Sequence, residues 1–124
     1  MKEELFWQDT TFPRLLFESA RDAILITKKD GTILAANPMA SNFFDYMHHE
    51  LIGLNRRKIL EPFTVPDKKL RKKEAPPFET TGFTKKNQKI PLEVSIAAFS
   101  YNSQWYQVYI IRDISSRKAV EDEM

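Results

Sequence analysis

The sequence contains no cysteine, only three glycines and only two histidines, His48 and His49. The absence of cysteine excludes disulfides, thiol catalysis and zinc sites built on thiolates. No glycine-rich phosphate-binding loop occurs among the three glycines, and two adjacent histidines do not form a convergent catalytic or metal-binding set. We therefore expect a protein that is not an enzyme and that holds no metal ion.

Long apolar runs and a large excess of one charge are also absent. No run approaches the roughly 18 apolar residues of a membrane-spanning helix, and the N-terminal MKEELFWQDT lacks the pattern of a signal peptide. The 19 Lys and Arg against 17 Asp and Glu give a net charge of +2, which is too small to indicate a nucleic-acid-binding protein. We expect a cytoplasmic chain with no membrane span in this segment and no nucleic-acid partner.

The first half of the chain reads as a hairpin followed by short helices. Two apolar runs, 23–27 and 32–36, flank Lys29-Asp30-Gly31, where Asp-Gly favours a tight turn. Asn37-Pro38 then provides an N-cap side chain and a proline at the first helical position. The apolar stripe of this helix is predicted to face a sheet: Met39, Ala40, Phe43, Phe44 and Met47.

The middle of the chain predicts only short elements. Two helical turns are broken at Gly53 and end before Pro62. Residues 63–77 are polar and basic between prolines, which predicts a short helix or a mobile connection.

The second half predicts three antiparallel strands, FETTGFTK, KIPLEVSIAAFS and QWYQVYIIRDI, separated by Lys86-Asn87-Gln88 and Tyr101-Asn102-Ser103. In the middle strand every second residue from Ile90 to Ala98 is apolar, so this set is expected to face the core. The last strand is apolar on both faces, so its outer face requires a cover. The order of elements predicts an α+β fold in which a five-stranded antiparallel sheet carries short helices on one face.

Four segments in this order resemble the PAS family from about Leu15 to Glu121. They are LLFESARDAILITKKDGTILAANPMA, HHELIGLNRRKILEP, FETTGFTKKNQKIPLEVSIAAF and RDISSRKAVEDE. The chain departs from the family in the Lys86-Asn87-Gln88 turn, where Lys-Asp-Gly is usual, and in Ser115, where the closing motif has Thr. The resemblance implies a PAS-like fold with an N-terminal helical cap at 1–12, a PAS core at 13–114 and the start of a C-terminal signalling helix at 115–124.

The resemblance also implies a ligand pocket between the inner sheet face and the central helices. Together with strand parity it gives these candidate pocket residues: Ile26, Phe43, Phe44, Ile52, Leu60, Thr80, Leu92, Val94, Ile96, Tyr109 and Ile111. A filled core is the alternative. Heme-binding members use a histidine just before the third strand and photoactive flavin members use a cysteine within 53–58; this chain has neither, so heme and a covalent flavin are not expected and the cofactor stays unknown.

The closing motif predicts a connection between the sheet and an outgoing helix. Asp113 ends the last strand, Ser115 is expected to cap the helix, and Arg117 is expected to pair back with Asp113. These residues and Ile114 form the predicted signal-transmission motif. The helix would continue as one strand of a coiled coil, with a helix that merely ends the domain as the alternative.

The predicted function is a sensory module that perceives a small ligand or a partner and signals to an effector in the same chain. The effector would be a histidine kinase, a diguanylate cyclase or a transcription regulator. Arg56 and Arg57 are candidate anion contacts, unless they belong to a solvated face. A homodimer is expected through the N-terminal cap, the outer sheet face or the C-terminal helix.

Two other functions stay open. One is a dimerisation or protein-interaction PAS domain without a ligand. The other is a single-stranded nucleic-acid module in which Trp105, Tyr106 and Tyr109 stack bases on an open sheet face.

Overall fold

The computed structural model describes residues 11–123, and its elements follow the predicted order. They are α1 (Thr11–Ser19), β1 (Ala23–Lys28), β2 (Ile33–Ala36), α2 (Pro38–Phe44), α3 (His48–Leu51), a 3₁₀ turn (Arg56–Lys58), α4 (Asp67–Lys72), β3 (Phe78–Phe83), β4 (Lys89–Tyr101), β5 (Gln104–Asp113) and α5 (Ser115–Glu123). The predicted cap over 1–12 lies outside the described residues except for its last two, which begin α1. No helix in the described range is long and apolar enough to cross a bilayer.

The five strands form one antiparallel sheet in the order β2-β1-β5-β4-β3. Its longest ladder joins β4 to β5, from Leu92 opposite Asp113 to Tyr101 opposite Gln104. The sequence predicted a turn at Tyr101-Asn102-Ser103, but Tyr101 is the last residue of β4. Asn102 and Ser103 make the turn, both with positive φ (49° and 64°), which is the backbone geometry that matches the twist of a two-residue hairpin.

The core lies between the inner face of this sheet and the short helices. The alternation predicted for β4 is confirmed, because Leu92, Val94, Ile96 and Ala98 are buried and their neighbours are more exposed. The stripe predicted for α2 is right for Ala40 and Phe44, which are buried, but wrong for Met47, which is 66% exposed. The reason is that Asp45 adopts a left-handed conformation (φ 61°) and ends α2 before Met47 can continue the stripe.

Asn37 joins three elements, which confirms its role as the N-cap of α2. Its buried Oδ1 accepts hydrogen bonds from the backbone N–H of Ile24 (2.9 Å) and of Ala40 (3.1 Å). Its Nδ2 donates to the carbonyls of Phe17 (3.1 Å) and Asp22 (2.9 Å). The side chain thus satisfies backbone groups at the end of α1, the start of β1 and the first turn of α2.

Candidate functional site

Most of the predicted pocket residues pack together on the inner sheet face. The fully or nearly fully buried ones are Phe44, Leu60, Leu92, Val94, Ile96, Tyr109 and Ile111. Phe43 is half-buried against this cluster, and Thr80 is half-buried opposite Leu92 in the β3–β4 ladder. These side chains fill the space between sheet and helices.

Two of the predicted pocket residues do not lie on this face. Ile26 is opposite Val108 on the outer face of the sheet, and Leu25, opposite Tyr109, takes the inner position instead. β1 is apolar at consecutive positions, so its sequence pattern did not identify which residues face inward. Ile52 is 38% exposed because it ends α3 in an extended conformation, while the preceding Leu51 is buried.

A polar group nevertheless lies within the interior. The hydroxyl of the buried Tyr109 donates to Oε1 of Gln107 at 2.8 Å, and the buried Thr27 hydroxyl donates to the carbonyl of Lys28 at 2.8 Å. Burial raises the pKa of Tyr109, and the positive charge of nearby Arg56 opposes that rise. Tyr109 is therefore a neutral hydroxyl beside a guanidinium.

The backbone of Arg56 is bonded to the turn between β1 and β2, and part of its side chain is buried. Its N–H donates to the carbonyl of Gly31 at 2.9 Å, and its Cγ would lie 3.1 Å from a Cβ at that glycine, whose φ is +94°. The guanidinium carbon lies 4.3 Å from the centre of the Phe63 ring, a cation–π distance. Its Nε is buried and has no hydrogen-bond partner. Arg57, the other candidate anion contact, is exposed, so the two arginines face different environments.

A cavity of about 250 Å³ opens beside Phe63. Its lining residues come from the loops on either side of α4, from α4 itself and from the start of β3: Phe63, Thr64, Val65, Pro66, Lys69, Ala75, Pro76 and Phe78. Phe63 contacts Phe78 at a ring distance of 5.1 Å and Tyr109 at 6.4 Å, edge to face. None of the predicted pocket residues lines this cavity. The sequence signal was the set of apolar side chains spaced among the prolines of 62–78.

The closing motif connects α5 to the sheet, but by contacts other than those predicted. Ile114 is buried, and its N–H donates to the carbonyl of Pro91 at 3.1 Å. Oδ1 of Asp113 accepts from the backbone N–H (2.9 Å) and the hydroxyl (2.5 Å) of Ser115. The capping side chain is thus Asp113 and not Ser115. Arg117 pairs with Glu79 and Glu93 and not with Asp113, so the predicted pairing is wrong.

Arg117 and Lys118 extend instead across the strands below the helix. Arg117 Nη2 lies 3.6 Å from Glu79 on β3 and 3.6 Å from Glu93 on β4. Lys118 Nζ lies 2.9 Å from Glu79 and 3.4 Å from Glu121. The hydrogen bond from Lys118 lowers the pKa of Glu79, and the same bond raises the pKa of Lys118. One turn of α5 therefore lies over two carboxylates of the sheet.

The other candidate features are dispersed. His48 and His49 are exposed on α3, and the described residues contain no group of three or more side chains suited to a metal ion. The three rings considered for base stacking do not share an open face. Tyr109 is buried, Trp105 has the guanidinium of Arg71 4.3 Å from its ring centre, and Tyr106 is on the opposite face, 5.6 Å from Phe99.

The outer sheet face carries an apolar patch where β1 pairs with β5. Ile24 pairs with Ile110 and Ile26 pairs with Val108 in the β1–β5 ladder. Ile110 is 44% exposed, and the others are half-buried.

Comparisons with known proteins agree with this architecture. Residues 21–116 match the PAS domain family. A PAS domain of a two-component sensor histidine kinase is similar at TM-score 0.72 and 19% identity, over 90% of this chain and 98% of that one. A PAS domain from Colwellia psychrerythraea is similar at TM-score 0.74 and 21% identity, over 88% of this chain and 100% of that one.

The PAS domain of nitrogen regulation protein NR(II) from Vibrio parahaemolyticus gives a TM-score of 0.71 and 17% identity, over 85% of this chain and 100% of that one. No match is found among curated proteins. The solved structures share the five-stranded α+β fold, and the family match extends from just before β1 to the first turn of α5. The chain belongs to the PAS domain family.

Proposed function

We propose that this PAS domain is the sensory module of a multidomain signalling protein, which perceives a small ligand or a partner and transmits the signal through α5 to an effector. The observation that supports this most strongly is the connection of α5 to the sheet. Ile114 is buried, while the side chains of Arg117 and Lys118 contact the sheet through exposed ion pairs to Glu79 and Glu93. Such pairs contribute little stability and are easily exchanged, so the helix can change position while the core stays folded.

The input side is supported by the cavity beside Phe63. The Phe63 ring contacts Tyr109 on β5, and β5 runs directly into α5 through Asp113. The strand β5 therefore connects the wall of the cavity to the outgoing helix α5. PAS domains of a sensor histidine kinase and of NR(II) share this fold, which favours an effector in the same chain, in a cytoplasmic two-component pathway.

The test joins this chain to the catalytic region of a histidine kinase and measures autophosphorylation. Glu79→Gln removes the sheet partner shared by Arg117 and Lys118 and is expected to change kinase activity several-fold with little change in melting temperature. Glu121→Gln is the matched control, because Glu121 pairs with Lys118 only within α5. A loss of activity that merely follows a loss of stability, or an equal effect of the control, would contradict the proposed route.

A domain that only pairs with a second copy is the second candidate, and the apolar patch on the outer sheet face favours it. Ile110 is 44% exposed in the middle of that face. Sedimentation of the purified chain distinguishes the candidates: Ile110→Lys should convert a dimer to a monomer if this face is the interface, whereas Val120→Lys should do so if α5 pairs instead. A wild-type monomer that responds to a small molecule would exclude pairing as the sole function.

A further inference from the structure

Arg56 combines a buried donor with the absence of any anionic partner. Among the ion pairs within the described residues, none includes Arg56. Its Nε is removed from water and lacks an acceptor. A desolvated donor on a permanent cation is unfavourable unless it is paired, so this site gains from the arrival of an acceptor.

Phe63 is the residue that links this cation to the cavity. Its ring lies under the guanidinium of Arg56 and also forms part of the cavity wall. A ligand in the cavity that displaces this ring would exchange the cation–π contact for a direct contact with Nε. Arg56 is not among the residues that line the cavity, so displacement of the Phe63 ring is the step that would bring the ligand to Nε.

We infer that the cavity beside Phe63 binds a small apolar monocarboxylate, whose carboxylate accepts a hydrogen bond from Nε of Arg56. The inference rests on the proposed sensory function, for which it names the ligand class. The walls are mainly apolar and aromatic, so the body of the ligand is apolar. Liquid water occupies about 30 Å³ per molecule, so the cavity of about 250 Å³ holds roughly eight non-hydrogen atoms.

The charge at the site favours a monoanion over both a neutral molecule and a dianion. A neutral ligand would leave the guanidinium charge uncompensated. A dianion such as phosphate would place its second charge against walls that are mainly apolar, where a charge without a partner is unfavourable. The planar guanidinium matches the geometry of a carboxylate.

Calorimetric titration of the purified chain tests the inference with matched acids and amides: benzoate against benzamide and hexanoate against hexanamide. The wild type should bind one of the acids at least tenfold more tightly than its amide. Arg56→Gln should abolish that preference, and Arg57→Gln, the same change at an exposed neighbour, should retain it. Equal affinity for acid and amide, no binding of either acid up to millimolar concentration, or equal effects of the two variants would overturn it.

An NMR titration of the wild-type protein tests the site even if Arg56→Gln does not fold. Titration with the acid that binds should shift the Nε–H resonance of Arg56 downfield, as a charge-assisted hydrogen bond does, and should leave that of Arg57 in place. A shift of neither or of both resonances would overturn the site. Binding at Arg56 without any effect on kinase output would contradict the signalling proposal while leaving the site intact.

Discussion

The backbone N–H of Ile24 donates to Oδ1 of Asn37 at 2.9 Å, and the backbone N–H of Asn37 donates back to the carbonyl of Ile24 at 3.1 Å. This reciprocal pair fixes the start of β1 to the start of α2, although 13 residues separate them. A single buried side chain thereby sets where the helical layer begins relative to the sheet.

Asn37→Asp should destabilise the domain by about 2–4 kcal/mol, because it removes the Nδ2 donor and brings a carboxylate near the carbonyls of Phe17 and Asp22. Urea unfolding followed by circular dichroism measures the free energy. Asn42→Ala is the control, since Asn42 is an exposed residue of the same helix, and should change stability by less than about 0.5 kcal/mol. A cost below about 1 kcal/mol at Asn37 would show that water replaces the lost bonds.

Alanine at Gly82 or at Gly53 should destabilise the domain, for a different reason at each position. A Cβ at Gly82 would clash with Cδ1 of Leu92 and would lie 3.1 Å from Cε1 of Phe44, so overpacking should cost about 1–3 kcal/mol. A Cβ at Gly53 meets nothing within 4 Å, but the φ of +90° should cost about 1–2 kcal/mol.

The double variant Gly82→Ala with Leu92→Val separates these causes. Leu92→Val shortens the side chain by one carbon and removes the clashing Cδ1, so it should recover part of the stability lost in Gly82→Ala. Combined with Gly53→Ala it should recover none, as measured by unfolding of the single and double variants. Strict additivity of Gly82→Ala and Leu92→Val would mean that the clash with Leu92 is not the cause.

Hydrogen exchange should locate the attachment of α5. Glu79→Gln is expected to speed amide exchange in α5, since both Arg117 and Lys118 lose a partner on the sheet. Exchange in β4 and β5 should stay as in the wild type, because exposed ion pairs contribute at most about 1 kcal/mol to global stability. Glu121→Gln should leave the attachment unchanged, and faster exchange in that variant would point to helix fraying instead.

The ion pair between Glu79 and Lys118 should weaken at both low and high pH. The hydrogen bond from Lys118 places the pKa of Glu79 below its ordinary 4.5, so the stabilisation is complete above that value and is lost as the pH falls through the lowered pKa. The bond places the pKa of Lys118 above its ordinary 10.5, so the stabilisation is complete below that value and is lost as the pH rises through the raised pKa.

The free-energy difference between wild type and Glu79→Gln measures this dependence. It should be constant near neutral pH and shrink toward zero in acid. High salt should reduce it at every pH, because both side chains are exposed. A difference that grows in acid would contradict the assignment.

The order and type of elements followed from the sequence because turns, caps and alternation all indicated the same fold. Asn37-Pro38 and the alternation in β4 are local signals, and both predictions are confirmed. β1 carried no such signal: Ile24, Leu25 and Ile26 are all apolar, so only the pairing with β5 identifies Leu25 as the inward residue.

The details of the candidate site depended on contacts between distant segments. The predicted partner of Arg117 was Asp113, four residues away, whereas the actual partners lie on β3 and β4, which only the folded sheet brings beneath the helix. Likewise, the cavity beside Phe63 forms between segments that the sequence marked as irregular. The separation of Arg56 from Arg57 follows from the 3₁₀ turn, which orients adjacent residues differently.

The burial of Ile114 has a mechanical consequence for α5. Ile114 is buried and its backbone is bonded to Pro91, so the start of the helix is fixed to the sheet. Rotation of the helix about Ile114 should therefore be easier than translation along the sheet. The nine residues of α5 extend about 13 Å beyond Ile114, so a swing of about 10° would carry the far end about 2 Å. Arg117 and Lys118 lie three and four residues beyond Ile114, about one helical turn away, so a change in which carboxylate they contact would change the angle of the whole helix.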